Sequence, residues 1–407
     1  VACSPLSPLC YLGSTGYGRG VNHGQRCRLY SRRDFGEPLP VIIKNGRLLE
    51  PTDRHGTVEL DHGEILTLSC EENGPLMHPN AQTELSSASI TCAGGTLFKN
   101  DEWLTSPGHF ASFKCEDPPN HSSHRTNRTC FEGNPIIEVG YSIASVFYPV
   151  YETCFNELGL FPVYSKYTQK GYNALYQTKV VRPFFEHNDV YGSVPVASVF
   201  TQRGLKAALG ETVGRMVGNY VSKQEFLSRG HLAAMTDFVF AFGERATFHY
   251  VNCAPQWTGF NGGNWNTLEV DLRNHIYTMG YNTIVYTGTF RTSQLENHLG
   301  RRVDLYLARD LNNNHVIPVP LYYYKVVYEP DTSRGIAFVG INNPYYTPTE
   351  LKELAFCEDL CRGNSRFNWL TWQPDDPTKG YSFCCTIPDF RQIVNHLPAF
   401  EVHSVLY

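Results

Sequence analysis

Nowhere in the 407 residues does an apolar run reach the length of a membrane-crossing helix, so no spanning segment is expected. The chain also lacks an overall positive charge. Lys and Arg number 34 against 39 Asp and Glu, a formal net charge of -5, which excludes a uniformly basic nucleic-acid coat protein. One glycine-rich stretch, Gly13 to Gly20, has no strand pattern before it and no Gly-Lys-Ser/Thr after it, so it is not a phosphate loop. Cys357, Cys361, Cys384 and Cys385 lack the spacing of a zinc knuckle and are expected to form two disulfides, the adjacent pair reaching different partners. The chain starts at Val1 with neither Met nor an apolar leader, and the expectation is that a signal peptide has been removed.

What the chain does have is aromatic residues and cysteine. Its 25 Tyr and 24 Phe suit β-rich packing. Thirteen cysteines point to an oxidising compartment. Eight lie between Cys3 and Cys154 and four near the C-terminus, so all twelve can pair. Cys253 is left over and is expected to be a buried free thiol rather than a nucleophile. The sequons at Asn120 and Asn127 predict glycosylation and agree with a secretory route.

Texture divides the chain into three parts. Residues 1–35 read as a disulfide-pinned arm. Residues 36–133 read as a small, stapled β domain with strands at Val41–Ile43, Thr57–Leu60, Glu64–Cys70 and Ala88–Cys92. Residues 134–407 form the main domain, with the boundary placed at Asn134-Pro135. His121 and His124 are expected in an exposed loop beside the sequons. Asp53-Arg54-His55-Gly56 is expected to carry no chemistry. Leu205, Leu209, Val213, Met216, Val217 and Tyr220 trace one helical stripe. Strands are expected over Thr283–Phe290, Val303–Leu307, Tyr322–Tyr328 and Gly335–Ile341, with Lys325 at a sheet edge or cleft. From Phe161 to Gly230 there are nine basic residues against four acidic ones, a local basic face on an acidic protein.

That basic run leads into Ser228-Arg229-Gly230-His231-Leu232-Ala233-Ala234. Asn252-Cys253-Ala254-Pro255-Gln256 follows, then Asn261 to Arg273 with Trp265, Leu268 and Glu269 between them. Phe248–Asn252 reads as a short strand. From Gly263 the apolar residues Trp265, Leu268, Leu272, Ile276 and Met279 recur at helical steps, with Asn261 just before the helix. Glu269 and Arg273, four residues apart, share a face and could pair. The set contains an imidazole for a proton, an amide oxygen for a metal, a carboxylate behind it and guanidinium groups for phosphate, which are the parts of phosphodiester cleavage.

These blocks, with Ile284-Val285-Tyr286-Thr287-Gly288 and Tyr324-Lys325-Val326-Val327 downstream, resemble the DNA/RNA non-specific endonuclease family of the ββα-metal superfamily. The likeness runs from about Tyr141 to the C-terminus, and is nearest to crustacean digestive-gland nucleases of the duplex-specific type. It implies an α+β fold: a ββα-metal nuclease domain with central antiparallel sheets and flanking helices, behind the small disulfide-rich domain.

The resemblance further implies a secreted, digestive, Mg²⁺-dependent endonuclease, with Mn²⁺ as a substitute. It would cut double-stranded DNA with little sequence specificity and leave 5′-phosphate ends. His231 is then the general base and Asn261 the direct metal ligand. Glu269 reaches the ion through water. Arg229 and Arg273 clamp phosphate, Arg182 is a further phosphate contact, and Asn252 and Gln256 tie the strand to the loop. A monomer without membrane attachment is expected. RNA or hybrid substrates, a double-stranded-RNA-preferring digestive nuclease, and a catalytically silent nucleic-acid-binding protein are the alternatives. Ser228 stands where the family often has Asp, which puts the placement of Arg229 in question.

Overall fold

The structure, a computed structural model, describes residues 24–407. Cys3, Cys10 and the Gly13–Gly20 stretch lie outside the described residues. Cys27–Tyr30, expected within an irregular arm, is a strand paired antiparallel with Thr57–Leu60. A six-stranded antiparallel sheet follows, in the order Arg47–Leu48, Val41–Lys44, Ile65–Ser69, Ser87–Gly94, Leu97–Asn100, Leu104–His109. Disulfides Cys27–Cys92 and Cys70–Cys115 staple it.

The main sheet has nine strands. Eight run in the order Ser122–Thr129, Pro135–Ile143, Val146–Asn156, Phe161–Lys170, Asn282–Thr292, Pro320–Glu329, Arg334–Ile341 and Ser382–Cys385. Ser404–Val405 pairs in parallel with Arg334–Ile341. The expected boundary at residue 134 is therefore corrected: it falls inside the hairpin of the first two strands, because Ser122–Thr129 already pairs with Pro135–Ile143. Nor is His121 in a free loop. Its Nδ1 lies 2.8 Å from His249 Nε2, while His124 is exposed on the edge strand. Asn120 exchanges two amide hydrogen bonds with Asn73, and Asn127 is exposed.

Period-two alternation decides which residues face the site. Along Pro320–Glu329, Tyr323 and Val327 join the core beneath Trp265 and Leu268, while Tyr322, Tyr324 and Val326 pack on the other face with Phe390. Lys325 falls on the Tyr323 side. It is fully buried in an interior strand, not at an edge. Residues 24–120 share the same continuous apolar core as the main domain. Phe35 packs 4.6 Å from Phe240, and Glu37 pairs with Arg245 at 2.5 Å.

The expected long helix is Gln202–Val213, broken at Gly214 and resumed at Val217–Tyr220. Gly214 sits at φ +64°, and a Cβ there would come within 2.3 Å of the His298 ring. Val303–Leu307 is split between two short hairpins, Arg302–Asp304 and Tyr306–Arg309 each pairing locally. The remaining disulfides are Cys130–Cys154, Cys357–Cys385 and Cys361–Cys384, so the adjacent cysteines do take different partners.

Candidate active site

Two short strands and a helix make the site. Leu227–His231 pairs antiparallel with Cys253–Trp257, Ser228 opposite Gln256 and His231 opposite Cys253. The second strand thus starts after Asn252. Phe248–Asn252, expected as a strand, holds a 3₁₀ turn at Tyr250–Asn252 instead. Pro255 is tolerated within the strand because a two-stranded ribbon leaves one edge unpaired. Gly230 is required by contact, since a Cβ there would lie 2.4 Å from Gln256 Oε1 and 2.6 Å from the Tyr323 hydroxyl.

The helical segment begins at Thr258, earlier than the periodicity suggests. It widens into a π turn over Asn261–Trp265 before the regular helix Asn266–Met279. Asn261 is therefore inside the helical run, where a π turn re-aims its side chain. Trp265, Leu268, Leu272 and Ile276 are buried as expected, while Met279 is half exposed.

The His231 ring is wedged between Phe185 and Phe248, with centroids 5.2 and 4.9 Å away. Its Nε2 is buried and has no hydrogen-bond partner among the described residues. Burial, and then the charge of Arg182, push the imidazole down to about 4, against a backbone hydrogen bond to Arg229 that raises it. The ring is neutral at physiological pH, with an acceptor nitrogen left over. This places Arg182, an exposed residue, close enough for His231 to feel its charge.

Asn261 donates from Nδ2 to Ser228 Oγ at 3.0 Å, and Ser228 Oγ donates to the Gln256 carbonyl at 2.9 Å. Asn261 Oδ1 makes no hydrogen bond to the described residues. Glu269 lies one helical stretch further on. It keeps a little accessible surface yet protein surrounds it, and burial pushes its carboxyl up to about 7; Lys325 lowers it, Asp237 raises it and Arg273 lowers it. An interaction with the Trp265 indole N–H, which makes no well-formed hydrogen bond, lowers it further.

Arg273 does not pair with Glu269. Its Nε donates to Asp237 Oδ1 at 3.1 Å and its Nη2 to Thr236 Oγ1 at 2.6 Å, and the side chain is 4% exposed. A phosphate-clamping role for Arg273 is corrected accordingly, because a buried guanidinium already bonded to a buried carboxylate has no face open to substrate. Asp237 also accepts from Tyr167 Oη at 2.7 Å and Gln169 Nε2 at 2.9 Å, with Lys325 Nζ 3.9 Å away. This cluster escaped the sequence reading. One signal existed: Asp237 is a lone carboxylate beside the apolar run Phe238–Phe242, and such a group needs a buried partner.

Arg229 is half-buried. Its Nε donates to Tyr250 Oη at 3.1 Å, and its guanidinium sits over the rings of Phe185, Phe200 and Tyr250 at 5.4 to 5.6 Å. No carboxylate pairs with it among the described residues. Asn252 links the hairpin to its surroundings: Oδ1 accepts from Ala233 N and Ser165 Oγ, and Nδ2 donates to the Ala233 and Thr247 carbonyls. Gln256 is different. Neither amide atom has a partner among the described residues, so its side chain forms no tie of the expected kind there.

Asn261 Oδ1 and Glu269 are oxygen donors, and no thiol joins them. Cys253 is buried and held protonated, its thiol pushed far up by burial. A hard divalent cation fits such a set. A second group, Asp359 with Cys361 and Cys384, does not qualify, since its two sulfurs are joined in a disulfide.

The family model for DNA/RNA non-specific endonucleases matches residues 132–390, more than half the chain and the whole of this site. The chain belongs to the DNA/RNA non-specific endonuclease family. It is an enzyme of the nuclease class, in a family that generally depends on a divalent metal. It is 28% identical over 363 residues to a salivary endonuclease of Lutzomyia longipalpis, spanning 86% of this chain and 79% of the relative. The salivary protein Tsal2A of Glossina morsitans morsitans is 25% identical over 390 residues, covering 90% of each chain. A solved complex described as EndoG with EndoGI aligns with a TM-score of 0.32 and 21% identity, over 47% of this chain and 71% of that one.

Proposed function

We propose that this endonuclease is secreted, uses Mg²⁺ and hydrolyses double-stranded DNA with little sequence specificity. The observation that carries the mechanism is the neutral His231, whose buried Nε2 has no hydrogen-bond partner among the described residues. A neutral imidazole with a free lone pair accepts the proton of an attacking water, help worth about 10²–10⁴-fold. The aromatic wedge of Phe185 and Phe248 holds the ring in place.

Asn261 Oδ1 would hold the cation, with Glu269 reaching it through water. When bound, it would stabilise the charge that develops on the phosphate and on the departing 3′ oxygen. Water attacks phosphorus as His231 takes its proton, the P–O3′ bond breaks with its electron pair going to O3′, and that oxygen takes a proton from solvent, leaving 5′-phosphate and 3′-hydroxyl ends. The terminal nitrogens of Arg229 are left to contact phosphate, because only its Nε is engaged.

Lys179, Arg182, Arg203, Lys206, Arg215 and Lys223 are exposed and form no ion pair among the described residues, so their charge is free to attract a polyanion. The nuclease class is supported by the family match and by a relative named as a salivary endonuclease; the preference for duplex DNA is the part of the proposal that the oligonucleotide comparison below decides. Secretion is supported by five disulfides among the described residues and by relatives named as salivary proteins.

The test is cleavage of plasmid DNA with Mg²⁺ or EDTA by the chain and by His231→Ala, followed by matched single- and double-stranded DNA and RNA oligonucleotides. Metal-dependent cutting that the variant loses supports the mechanism. Equal rates on single and double strands would remove the duplex preference.

A further inference from the structure

Ser228 lies between the Gln256 carbonyl and the Asn261 amide, and its hydrogen bonds give it a defined task. The Gln256 carbonyl, 2.9 Å from Ser228 Oγ, can only accept, so the hydroxyl proton must point there. With its proton committed, Ser228 Oγ can only accept from its other neighbour. That neighbour is the Asn261 amide at 3.0 Å, so the amide must present Nδ2 to the serine. The opposite flip would set two oxygens against each other with no proton between them. Oδ1 is thereby turned away from the serine, and of the two Asn261 amide atoms it is the one without a partner among the described residues.

The geometry assigns Ser228 as the positioning residue for Asn261: through the Gln256 carbonyl and the serine hydroxyl, the strand pair selects the amide orientation that offers oxygen to a divalent cation. The inference rests on the proposed role of Asn261 as metal ligand. Polarity is relayed from a backbone carbonyl whose position the Ser228–Gln256 pairing sets. An amide without the relay samples both flips, and in one of them it presents N–H groups, which a cation repels. A threonine keeps the relay, since its hydroxyl occupies the same place. An alanine removes it while leaving the strand backbone intact.

The experiment measures Mn²⁺ binding to the full chain by electron paramagnetic resonance, for the unchanged protein and for Ser228→Ala, Ser228→Thr and Asn261→Ala. Thermal melts serve as folding controls. Ser228→Ala is expected to weaken Mn²⁺ binding by about three- to tenfold, the typical worth of one neutral hydrogen bond. Ser228→Thr should stay close to the unchanged protein. In cleavage assays Ser228→Ala should need more metal for half-maximal rate yet approach the normal kcat at saturation.

Unchanged Mn²⁺ affinity in a folded Ser228→Ala, with affinity lost in Asn261→Ala, would overturn the positioning role and leave the ligand assignment standing. Equal loss in the alanine and threonine variants would also overturn it, since the hydroxyl would then not be the cause. Unchanged affinity in Asn261→Ala would instead remove the ligand assignment itself, and this inference with it.

Discussion

Arg273 donates from Nε to Asp237 Oδ1 at 3.1 Å, and neither side chain reaches solvent, at 4% and 1% exposed. The pair joins the helix that carries Glu269 to the turn Met235–Asp237 just after His231, so it ties together the two halves of the site. Tyr167, Gln169 and Lys325 close the cluster from the main sheet beneath. Removing Arg273 breaks a buried ion pair and leaves Lys325, 3.9 Å away, as the cation beside Asp237. Arg273→Ala should cost about 3–5 kcal/mol of stability. The check is a urea midpoint beside a DNA-binding measurement. A stable variant with weakened DNA affinity would restore the phosphate-clamping role.

His231→Ala should lower kcat by at least about 10²–10⁴-fold with DNA affinity nearly unchanged, because the ring acts on a proton rather than on phosphate charge. Quantitative binding to a duplex in EDTA, beside single-turnover cleavage in Mg²⁺, separates the two. Retained cleavage would remove His231 from the mechanism.

The pH dependence follows from the lowered imidazole. His231 must be neutral to accept a proton, and its pKa lies near 4, so the base is lost only as pH falls through that value. With Mg²⁺ saturating at every pH, so that protonation of Glu269 does not limit the rate, kcat/KM should stay flat from pH 7 to about 5 and then decline. Arg182→Gln removes a charge that lowers the pKa, so the acid limb should move to higher pH. A limb near the ordinary histidine value in the unchanged protein contradicts this reading.

Glu244 offers a stability test away from the site. Burial, and then Glu37, push its carboxyl up from 4.5 to about 8, against Arg245. A raised carboxyl pKa means that the folded state holds a proton the unfolded state releases. Stability is therefore favoured below pH 4.5 and lost as pH rises toward 8. Glu244→Gln should stabilise the chain by on the order of 1–3 kcal/mol at pH 8 and change little at pH 4.5. Melting temperatures at the two pH values decide it, and an equal shift at both would show that charge is not the cause.

Arg203→Glu and Lys206→Glu, on the first turn of Gln202–Val213, should weaken duplex binding and flatten its salt dependence by about one unit of log–log slope per lost phosphate contact. Affinity of the His231→Ala protein measured across salt concentrations tests this. A slope equal to that of the parent would place the DNA elsewhere.

Much of the site was legible in the chain because its chemistry is local. His231, Asn261 and Glu269 sit in short blocks whose spacing a hairpin and a helix impose, and the apolar steps of Leu268, Leu272 and Ile276 announce the buried helix face. The cysteine clusters foretold disulfides, and three of the six strands of the small sheet, Val41–Lys44, Ile65–Ser69 and Ser87–Gly94, followed from β-branched runs between turns, while Arg47–Leu48, Leu97–Asn100 and Leu104–His109 did not. What the sequence could not carry was anything settled by which surfaces meet. Arg273 and Glu269 share a helix face, and helical spacing alone pairs them. Asp237, 36 positions back, takes the arginine because packing buries both charges together. Lys325 reads as an edge residue until five strands are laid beside its own on one side and two on the other. Ser228 looked like the loss of a charge; only the meeting of the strand with the π turn makes it a hydrogen-bond relay. Periodicity and motif spacing are written along the backbone, whereas the partner of a buried polar group is chosen by three-dimensional packing and by the cost of leaving that group unpaired.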